Sequence, residues 1–330
     1  MSKLNDLIQE LCPNGVEFKK VKDVYKRLKG TPITASKMKE IENPNGEIRV
    51  FAGGKTVINA REEDIPKANI TRVPAVLVQS RGVIDVVYYE EPFTFKNEMW
   101  AYTADDKTSV KFLYYVLKNN IQHFREAASG MGSLPQISLP VTEEFVVPVP
   151  PLEVQSEIVR VLDHFTFLSA ELTAELTAEL TARKKQYEFY REELLKQKEG
   201  IAVVKLKEIA IITRGGSFQK KDFVENGFPA IHYGQIYTRY GISATKTLVD
   251  ISDTVAQKSK KAVKNDIVMA VTSENVEDVC KCVAWLGDGD IAVSGHTAII
   301  HHSQNAKYLA YYFHTEAFAV QKENLHMVRK

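Results

Sequence analysis

Residues 169–180 read SAEL-TAEL-TAEL, a four-residue unit in tandem. They lie within a helical pattern that runs from Leu152 to Glu199, a stretch without Gly or Pro in which Ala, Glu and Leu favour the helix. Apolar residues recur along it at spacings of three, four or seven. Such a helix would measure roughly 70 Å at about 1.5 Å per residue. That is too long for the core of a small domain, so the sequence predicts a rod that needs a partner.

The rest of the 330-residue chain has room for two domains of ordinary size, one on each side of the rod. A net charge of +1 excludes nucleic-acid binding by overall basicity, although it is compatible with a local basic face. No apolar run reaches the roughly 18 residues that cross a bilayer, so we expect a cytoplasmic protein with no membrane contact. Cys12, Cys280 and Cys282 make no disulfide framework, and we interpret them as structural thiols.

Both flanking segments combine short β-type runs with one helical pattern. In residues 1–151 the runs include 75–79 and 83–89, and the helical pattern covers about 110–128. In residues 200–330 the runs are 202–206, 229–233, 266–271 and 280–286, and a helical pattern begins near Ala306. The sequence therefore predicts three parts, which are a first α/β domain (1–151), a spacer helix (152–199) and a second α/β domain (200–330).

The two flanking segments resemble each other. Val21–Val24 (VKDV) matches Leu206–Ile209 (LKEI), and each precedes a turn that contains Gly. Residues 112–115 (FLYY) match 309–312 (LAYY) in the same order. We interpret the segments as two copies of one scaffold with different inserts. Because the first copy continues through GMGSLPQIS and PVPP, we expect the second, which stops at Lys330, to lack that last quarter.

A family resemblance rests on the spacer. Residues 150–159 (PPLEVQSEIV) resemble the entry to the first conserved helix of type I restriction-modification specificity subunits. The tetrads and the RKKQY that follows at 183–187 are similar to the TAEL-repeat branch of that family. The resemblance covers the whole chain and implies an α+β fold, in which two similar α/β target-recognition domains are joined by a long coiled-coil-type helix. The family's second conserved helix, which pairs with the first, has no counterpart in this sequence.

The resemblance also implies a function. The chain would be a non-catalytic subunit whose two variable domains each recognise one half of a bipartite site in double-stranded DNA, while the helix holds them at a fixed separation. It would dock adenine methyltransferase subunits, and motor–nuclease subunits would join the complex. S-adenosylmethionine, ATP and Mg are then expected in those partners, and no cofactor is expected in this chain. The unpaired helix also suggests self-association.

The tetrads have a physical consequence of their own. Four residues add about 6 Å of rise and turn the helix about 40° past one rotation. Because DNA rises about 3.4 Å per base pair, one tetrad should widen the unread gap by one or two base pairs. With its tandem units the chain would belong with longer-spacer forms. An ordinary coiled-coil seam is the alternative, which explains the leucines but does not require a perfect four-residue repeat.

Candidate contact residues follow from chemistry. Phosphate positioning favours Lys, Arg and backbone amides, whereas base readout favours Arg, Lys, Asn, Gln and Ser on loops. In the first domain the candidates are Gly54, Lys55, Thr56, Ser80, Arg81, Lys96, Asn97, Ser133 and Gln136. In the second they are Arg214, Lys220, Lys221, His232, Tyr233, Gln235, Arg239, Ser273 and Asn275. For subunit or helix–helix contacts the candidates are Leu172, Leu176, Leu180, Lys184, Lys185, Tyr187, Tyr190 and Arg191.

The sequence contains no motif that predicts catalysis or metal binding. It has no Gly-rich loop after a strand for a methyl donor, no Asn-Pro-Pro-aromatic tetrapeptide and no nucleotide-binding motor motif. No His or Cys spacing predicts a metal site. One alternative remains open, that of a structural scaffold or decoy that associates with partners through its helix and reads no DNA.

Overall fold

The computed structural model describes residues 2–65, 69–128, 134–196, 198, 200, 202–273 and 278–327, with only the backbone at Ser2, Lys55 and residues 324–327. The chain forms two compact units, Met1–Glu175 and Leu176–Lys330. The division falls inside the central helix, so each unit contains part of it. The predicted division at 151 and 199 remains an interpretation of the sequence.

The first unit contains seven of the described helices, the last of which continues into the second unit. The helices are α1 (Ser2–Leu11), α2 (Val21–Val24), α3 (Ala35–Ile41), α4 (Lys107–Asn119), α5 (Ile121–Glu126), α6 (Leu139–Glu143) and α7 (Leu152–Leu195). The strands are β1 (Phe18–Lys20), β2 (Lys26–Leu28), β3 (Ile48–Phe51), β4 (Val57–Ala60), β5 (Ala75–Gln79), β6 (Asp85–Tyr89), β7 (Phe93–Phe95), β8 (Trp100–Thr103) and β9 (Val146–Pro148).

These strands form two main sheets with a shared core. The four-stranded sheet has the order β2-β8-β5-β6, the three-stranded sheet has the order β4-β3-β7, and β1 pairs with β9. Strand β5 is buried on both faces because its side chains alternate. Val76 and Val78 pack against the α4 side with Leu113, whereas Leu77 packs with Phe93 on the other side. The alternation places β5 at the centre of the unit.

The second unit contains five further helices and ten strands among its described residues. The helices are α8 (Leu206–Ile209), α9 (Tyr233–Thr238), α10 (Asp253–Lys258), α11 (Ala306–Tyr312) and α12 (Glu316–Met327). The strands are β10 (Ala210–Arg214), β11 (Phe223–Val224), β12 (Phe228–Ile231), β13 (Ser243–Ala244), β14 (Val249–Ile251), β15 (Lys261–Ala262), β16 (Ile267–Ala270), β17 (Cys282–Trp285), β18 (Ile291–Val293) and β19 (Thr297–His302).

The predicted repeat is confirmed by topology. The sheet β10-β19-β16-β17-β13 repeats the order β2-β8-β5-β6 and adds β13 at one edge. In the other sheet, β14-β12-β18 repeats β4-β3-β7, with an antiparallel pair followed by a parallel pair in both units. The matched segments VKDV and LKEI are the short helices α2 and α8, which precede corresponding strands. The expected fold class, two similar α/β domains and a long helix, is therefore confirmed.

Helix α7 is anchored at its start and exposed along its middle. Gln155 is buried, its amide donates to the Pro150 carbonyl at 2.8 Å, and its side-chain oxygen accepts the Ser109 hydroxyl at 2.9 Å. Asp163 accepts from the Tyr115 hydroxyl at 2.6 Å and pairs with Lys111 at 2.8 Å. From residue 164 to residue 190 every side chain is exposed. The PPLEVQ motif therefore fastens the helix to α4, and the side chains of the tetrads that follow are exposed.

The structure corrects several predicted element bounds. The helical pattern at 110–128 is two helices, because Asn120 leaves the helical conformation (φ −102°, ψ 18°) and its amide bonds the Val116 carbonyl. Helix α7 ends at Leu195, four residues before the predicted end, where only polar helix formers follow the apolar stripe. The run at 202–206 is not a strand, since residues 203–205 have no strand partner among the described residues and Leu206 begins α8.

Candidate nucleic-acid interface

In the first unit, four loops meet where β3, β5 and β7 end. We call them the first loop cluster: residues 53–56, 80–82, 96–98 and 135–136. The Gly54 amide donates to the Arg81 carbonyl at 3.2 Å, and the Gly82 amide donates to the Pro135 carbonyl at 2.8 Å. Arg81 also forms an isolated bridge with Gln136. Gly54 has a φ of +69°, a left-handed conformation that glycine adopts without strain. Backbone hydrogen bonds thus hold these predicted loops together.

The side chains of this cluster differ in exposure. Thr56, Arg81, Asn97 and Gln136 are exposed, and among the described residues Arg81 takes part in no salt bridge. Lys96 pairs with Glu98 at 2.9 Å, so its charge is compensated. Glu98 lies beside Gly53, because a Cβ added to Gly53 would be 3.8 Å from the Glu98 carboxylate. Glu98 was not among the predicted candidates, because nothing in the sequence shows that the two residues are close.

The side chain of one first-domain candidate, Ser80, is buried in the loop cluster. Ser80 is 1% exposed and its hydroxyl donates to the Glu98 carbonyl, so its side chain positions the loop and is not available at the surface. The role of Ser80 as a DNA contact stays a prediction, and the buried hydroxyl lends it no support. Ser133 and the side chain of Lys55 lie outside the described residues, and the backbone of Lys55 belongs to a short 3₁₀ turn, Gly53–Lys55.

A second loop cluster lies at the corresponding strand ends of the second unit. It comprises residues 214–219, 232–237, 272–273 and 294–296. The Tyr233 amide donates to the Ser294 hydroxyl at 2.9 Å, and the Arg214 guanidinium donates to the Gly295 carbonyl at 3.0 Å. A Cβ on Gly215 would lie 2.1 Å from the Ser294 carbonyl oxygen, so only glycine permits this close approach.

The second cluster is aromatic as well as basic. The rings of Tyr233 and His296 are 5.0 Å apart, and the Thr272 hydroxyl lies 3.0 Å from His296 Nδ1. The Tyr237 hydroxyl donates to the Thr272 carbonyl, and burial raises its pKa. Tyr237 was not among the candidates, although its position four residues after Tyr233 on α9 places both rings on one helix face. Tyr233 and Tyr237 are half-buried, whereas His296 and Arg214 are exposed. Aromatic rings in one cluster with an exposed arginine are a combination that suits nucleic-acid binding.

Two other candidates in this unit have structural roles. His232 is 5% exposed, and burial lowers its pKa, with Lys220 and His296 acting in the same direction. Its ring accepts from the Gly234 amide, and Gln235 accepts from the His232 amide, so the pair caps α9. The His232 side chain is therefore buried and Gln235 is half-buried, and the roles of both residues as DNA contacts stay predictions.

Three of the remaining second-domain candidates are exposed basic residues. Lys220 and Lys221 are exposed in a short 3₁₀ turn, Lys220–Asp222, that follows the 214–219 loop. Arg239 is exposed at the end of α9. Ser273 is half-buried in the cluster, and Asn275 lies outside the described residues.

The helix candidates lie on the exposed part of α7. At about 100° per residue, Leu172, Leu176, Leu180, Tyr187 and Tyr190 fall within one stripe roughly 80° wide. Each tetrad shifts the position of its leucine around the helix axis by about 40°. The three-residue step from Tyr187 to Tyr190 shifts the position by about 60° in the opposite direction. Leu176 is 60% exposed. Lys184 is exposed beside the stripe, and Lys185 is exposed on the opposite face of the helix. Arg191 pairs with Glu192 at 2.9 Å and lies over the Tyr187 ring.

Two kinds of feature are not found in the part of the chain that the structure describes. None of its helices is long and apolar enough to cross a membrane. No three His, Cys, Asp or Glu side chains in that part are arranged to hold a metal ion.

Sequence and structure comparisons agree on one family. The chain is 44% identical over 131 residues to the EcoR124I/EcoR124II specificity subunit of Escherichia coli, a match that covers 37% of this chain and 31% of the relative. It is 40% identical over 122 residues to a putative type I restriction enzyme specificity subunit of Haemophilus influenzae, covering 36% and 31%. The chain therefore spans about a third of the length of these relatives.

The chain shares its fold with a solved structure from work on the type I restriction-modification system. That work concerns the structural basis of complex assembly and of the conformational transition of the system. That likeness has a TM-score of 0.59 at 15% identity and covers 92% of this chain and 80% of the other. The model of the type I restriction modification DNA specificity domain matches residues 13–182, which is more than half of the chain. The chain therefore belongs to the family of type I restriction-modification specificity subunits.

Proposed function

We propose that each unit reads one half of a bipartite site in double-stranded DNA through its loop cluster. The observation that carries this proposal is the correspondence of the clusters. In both units the loops after equivalent strands gather at one place, while their exposed side chains differ. A common scaffold with different loops is what two different half-sites require, because base readout depends on the side chains that reach the groove.

In this proposal α7 sets the number of unread base pairs between the half-sites. Its tetrad region is continuous helix whose side chains are all exposed, so its length can vary without disturbing either core. The exposed apolar stripe of α7 would dock adenine methyltransferase subunits, which would supply S-adenosylmethionine chemistry. Motor–nuclease subunits, with ATP and Mg, would complete the restriction complex. The chain itself would be non-catalytic.

The test of DNA reading is a map of methylated adenines in a host that expresses this chain with its methyltransferase. Replacing Arg81 with Ala should relax one half-site, and replacing Arg214 with Ala should relax the other, each by about 1–3 kcal/mol of discrimination if the guanidinium contacts a base. Loss of specificity in both half-sites from either single change would contradict the assignment of one half-site to each unit.

The test of docking uses the stripe of α7. Leu176→Glu places a charge on the apolar face and should reduce co-purification with the methyltransferase. Ala174→Glu is the matched control. Residue 174 is two positions before Leu176 on the helix, so its side chain points about 160° away from that of Leu176. Both positions are exposed, so both variants should fold. Equal effects would argue against docking by the stripe.

A scaffold that reads no DNA is the second candidate function. It is favoured by the limited charge of the first loop cluster, in which Lys96 is paired with Glu98. Binding measured over a salt series on target and unrelated duplexes separates the two functions. A DNA reader shows both a sequence preference and a steep salt dependence, and a scaffold shows no preference.

A further inference from the structure

One tight turn recurs in both units and overlaps both loop clusters. We call its two copies the first turn, residues 96–99 after β7, and the second turn, residues 294–297 after β18. In each copy the carbonyl of the first residue accepts from the amide of the fourth, at 2.9 Å in the first turn and at 3.2 Å in the second. The first residue of each copy also forms an isolated parallel bridge with the loop that follows β2 or β10. The two turns therefore occupy the same place in the repeated fold.

The third residue of the turn differs between the units. It is Glu98 in the first turn and His296 in the second. The Glu98 carbonyl accepts from the hydroxyl of Ser80, the residue after β5. The His296 carbonyl accepts from the amide of Val271, the residue after β16, at 3.0 Å. The position thus combines a fixed backbone with a variable side chain, as expected of a residue that distinguishes two half-sites.

The Glu98 side chain is both held in place and accessible. Its Oε1 lies 2.9 Å from Lys96 Nζ, and 31% of the Glu98 side chain and 18% of the Lys96 side chain are exposed. The carboxylate lies beside Gly53, where even a Cβ would come within 3.8 Å of it, so the glycine leaves it uncovered on that side. The ion pair is therefore a part of the surface of the first loop cluster.

A carboxylate on a DNA-binding surface weakens binding by repelling phosphates, unless a base offers it a hydrogen-bond donor. Glutamate accepts from the amino group of cytosine, and lysine donates to O6 and N7 of guanine. A C·G pair presents these groups along the major groove in the order donor, acceptor, acceptor. The Glu98 carboxylate with the Lys96 ammonium beside it complements that order. An A·T pair places its donor between two acceptors, and adenine N7 would repel the carboxylate.

We propose that Glu98 is a specificity-determining residue that accepts from the amino group of cytosine in a C·G pair, while Lys96 donates to the guanine of that pair. This inference rests on the proposed reading of DNA by the first unit and names the base pair that these two side chains select. The second turn supports it. There the exposed His296, 3.0 Å from the Thr272 hydroxyl, gives the second unit a different hydrogen-bonding group at the same position.

A map of methylated adenines tests the proposal in a host that expresses the chain with its methyltransferase. The unaltered chain should require a C·G pair at one position of one half-site. Glu98→Gln, which keeps the shape of the side chain, should change that position to A·T, because glutamine pairs with N6 and N7 of adenine. Glu98→Ala should relax the position to any base pair. Both variants should keep the other half-site and the gap.

The matched control is Glu63→Gln. It breaks an exposed ion pair of the same sequence spacing, Arg61 with Glu63 at 3.5 Å, outside the first loop cluster, and should leave the whole motif unchanged.

A modified duplex provides a second measurement, on the unaltered chain in complex with its methyltransferase. Replacing the cytosine by pyrimidin-2-one removes the amino group that Glu98 would contact. At fixed salt the complex should bind this duplex roughly ten- to a hundredfold more weakly than the unmodified one. The Glu98→Ala complex should bind both duplexes about equally, and the Glu63→Gln complex should show the full loss.

Three results would overturn this proposal and leave the reading of DNA by the first unit intact. One is an original motif that both Glu98 variants still methylate. Another is a control variant that changes the motif as Glu98→Gln does. The third is an unaltered complex that binds the modified duplex as well as the unmodified one, and this result decides the question even if the Glu98 variants do not fold. An unaltered chain that gives no bipartite motif would instead refute the proposed function, and this proposal with it.

Discussion

Deletion of one tetrad, residues 177–180, should shorten the DNA gap and leave both half-sites unchanged. The deleted side chains are all exposed, and the flanking residues Leu176 and Thr181 continue the same helix. We therefore expect both units to keep their folds, because no buried contact is removed. The change acts on the length and phase of α7 alone.

The size of the effect follows from helix geometry. Four residues correspond to about 6 Å of rise and about 40° of rotation beyond a full turn. At about 3.4 Å per base pair, 6 Å corresponds to nearly two base pairs. The rotation is close to the twist of a single base pair, about 35° at 10–10.5 base pairs per turn. The change in helix length thus favours a gap that is two base pairs shorter, and the change in helix rotation favours a gap that is one base pair shorter. We expect the gap to shorten by no more than two base pairs.

The assay is a map of methylated adenines in a host that carries the deletion variant and its methyltransferase. A matched control exchanges Ala178 and Glu179, which keeps the length of α7 and the positions of its leucines. This control loses the exposed pair between Glu179 and Arg183, which is worth less than about 1 kcal/mol. The control should methylate the original motif.

Two results would refute the proposal that helix length sets the gap. One is a deletion variant that keeps the gap and recognises altered half-sites. The other is a control that shifts the gap as much as the deletion does, because its helix has not changed in length.

The remaining predictions concern stability. Thr142→Val should destabilise the first unit by about 1–3 kcal/mol in urea unfolding, because Thr142 is buried and bonds both an indole N–H and a phenol hydroxyl. Leu113→Ala should cost about 3–4 kcal/mol in the same measurement, whereas Leu176→Ala on the exposed stripe should cost less than about 0.5 kcal/mol. Burial lowers the pKa of His232 below its ordinary 6.5. Below pH 6.5 this histidine therefore binds a proton more readily in the unfolded chain than in the folded chain. The second unit should therefore lose stability as pH falls below 6.5, seen as faster hydrogen exchange in β16 at pH 5.5 than at pH 7 after correction for intrinsic rates. His232→Asn keeps a capping side chain and should reduce this dependence.

The elements that follow from local pattern were predictable from the sequence. Strand β5 was predicted with its observed bounds, because a short, mostly apolar run with two valines between Pro74 and Ser80 is typical of a buried strand. The long helix also carries its signal locally. By contrast, residues 202–206 have the composition of a strand but no partner among the described residues, and strand formation needs that partner.

The sequence predicted which loops contain candidate residues. It did not predict which side chains in those loops are exposed and which are buried. Ser80 and Arg81 are neighbours, yet the first is buried and the second is exposed. The difference arises from the carbonyl of Glu98, 18 residues further along the chain, which accepts the Ser80 hydroxyl. His232 is similarly buried beneath Phe223, with the rings 5.7 Å apart. Such contacts depend on the packing of distant segments, which composition and spacing do not encode.

The chain has two tryptophans, and the structure places one in each unit, Trp100 in β8 and Trp285 in β17. Trp100 is half-buried and donates to Thr142, whereas Trp285 is almost fully buried and donates to the Gly289 carbonyl at 2.8 Å. Their fluorescence should differ in wavelength and in quenching by acrylamide, because their access to solvent differs. The molecule therefore carries an intrinsic optical label for each half, and replacing either indole with Phe would let the unfolding of the other half be followed without an attached dye.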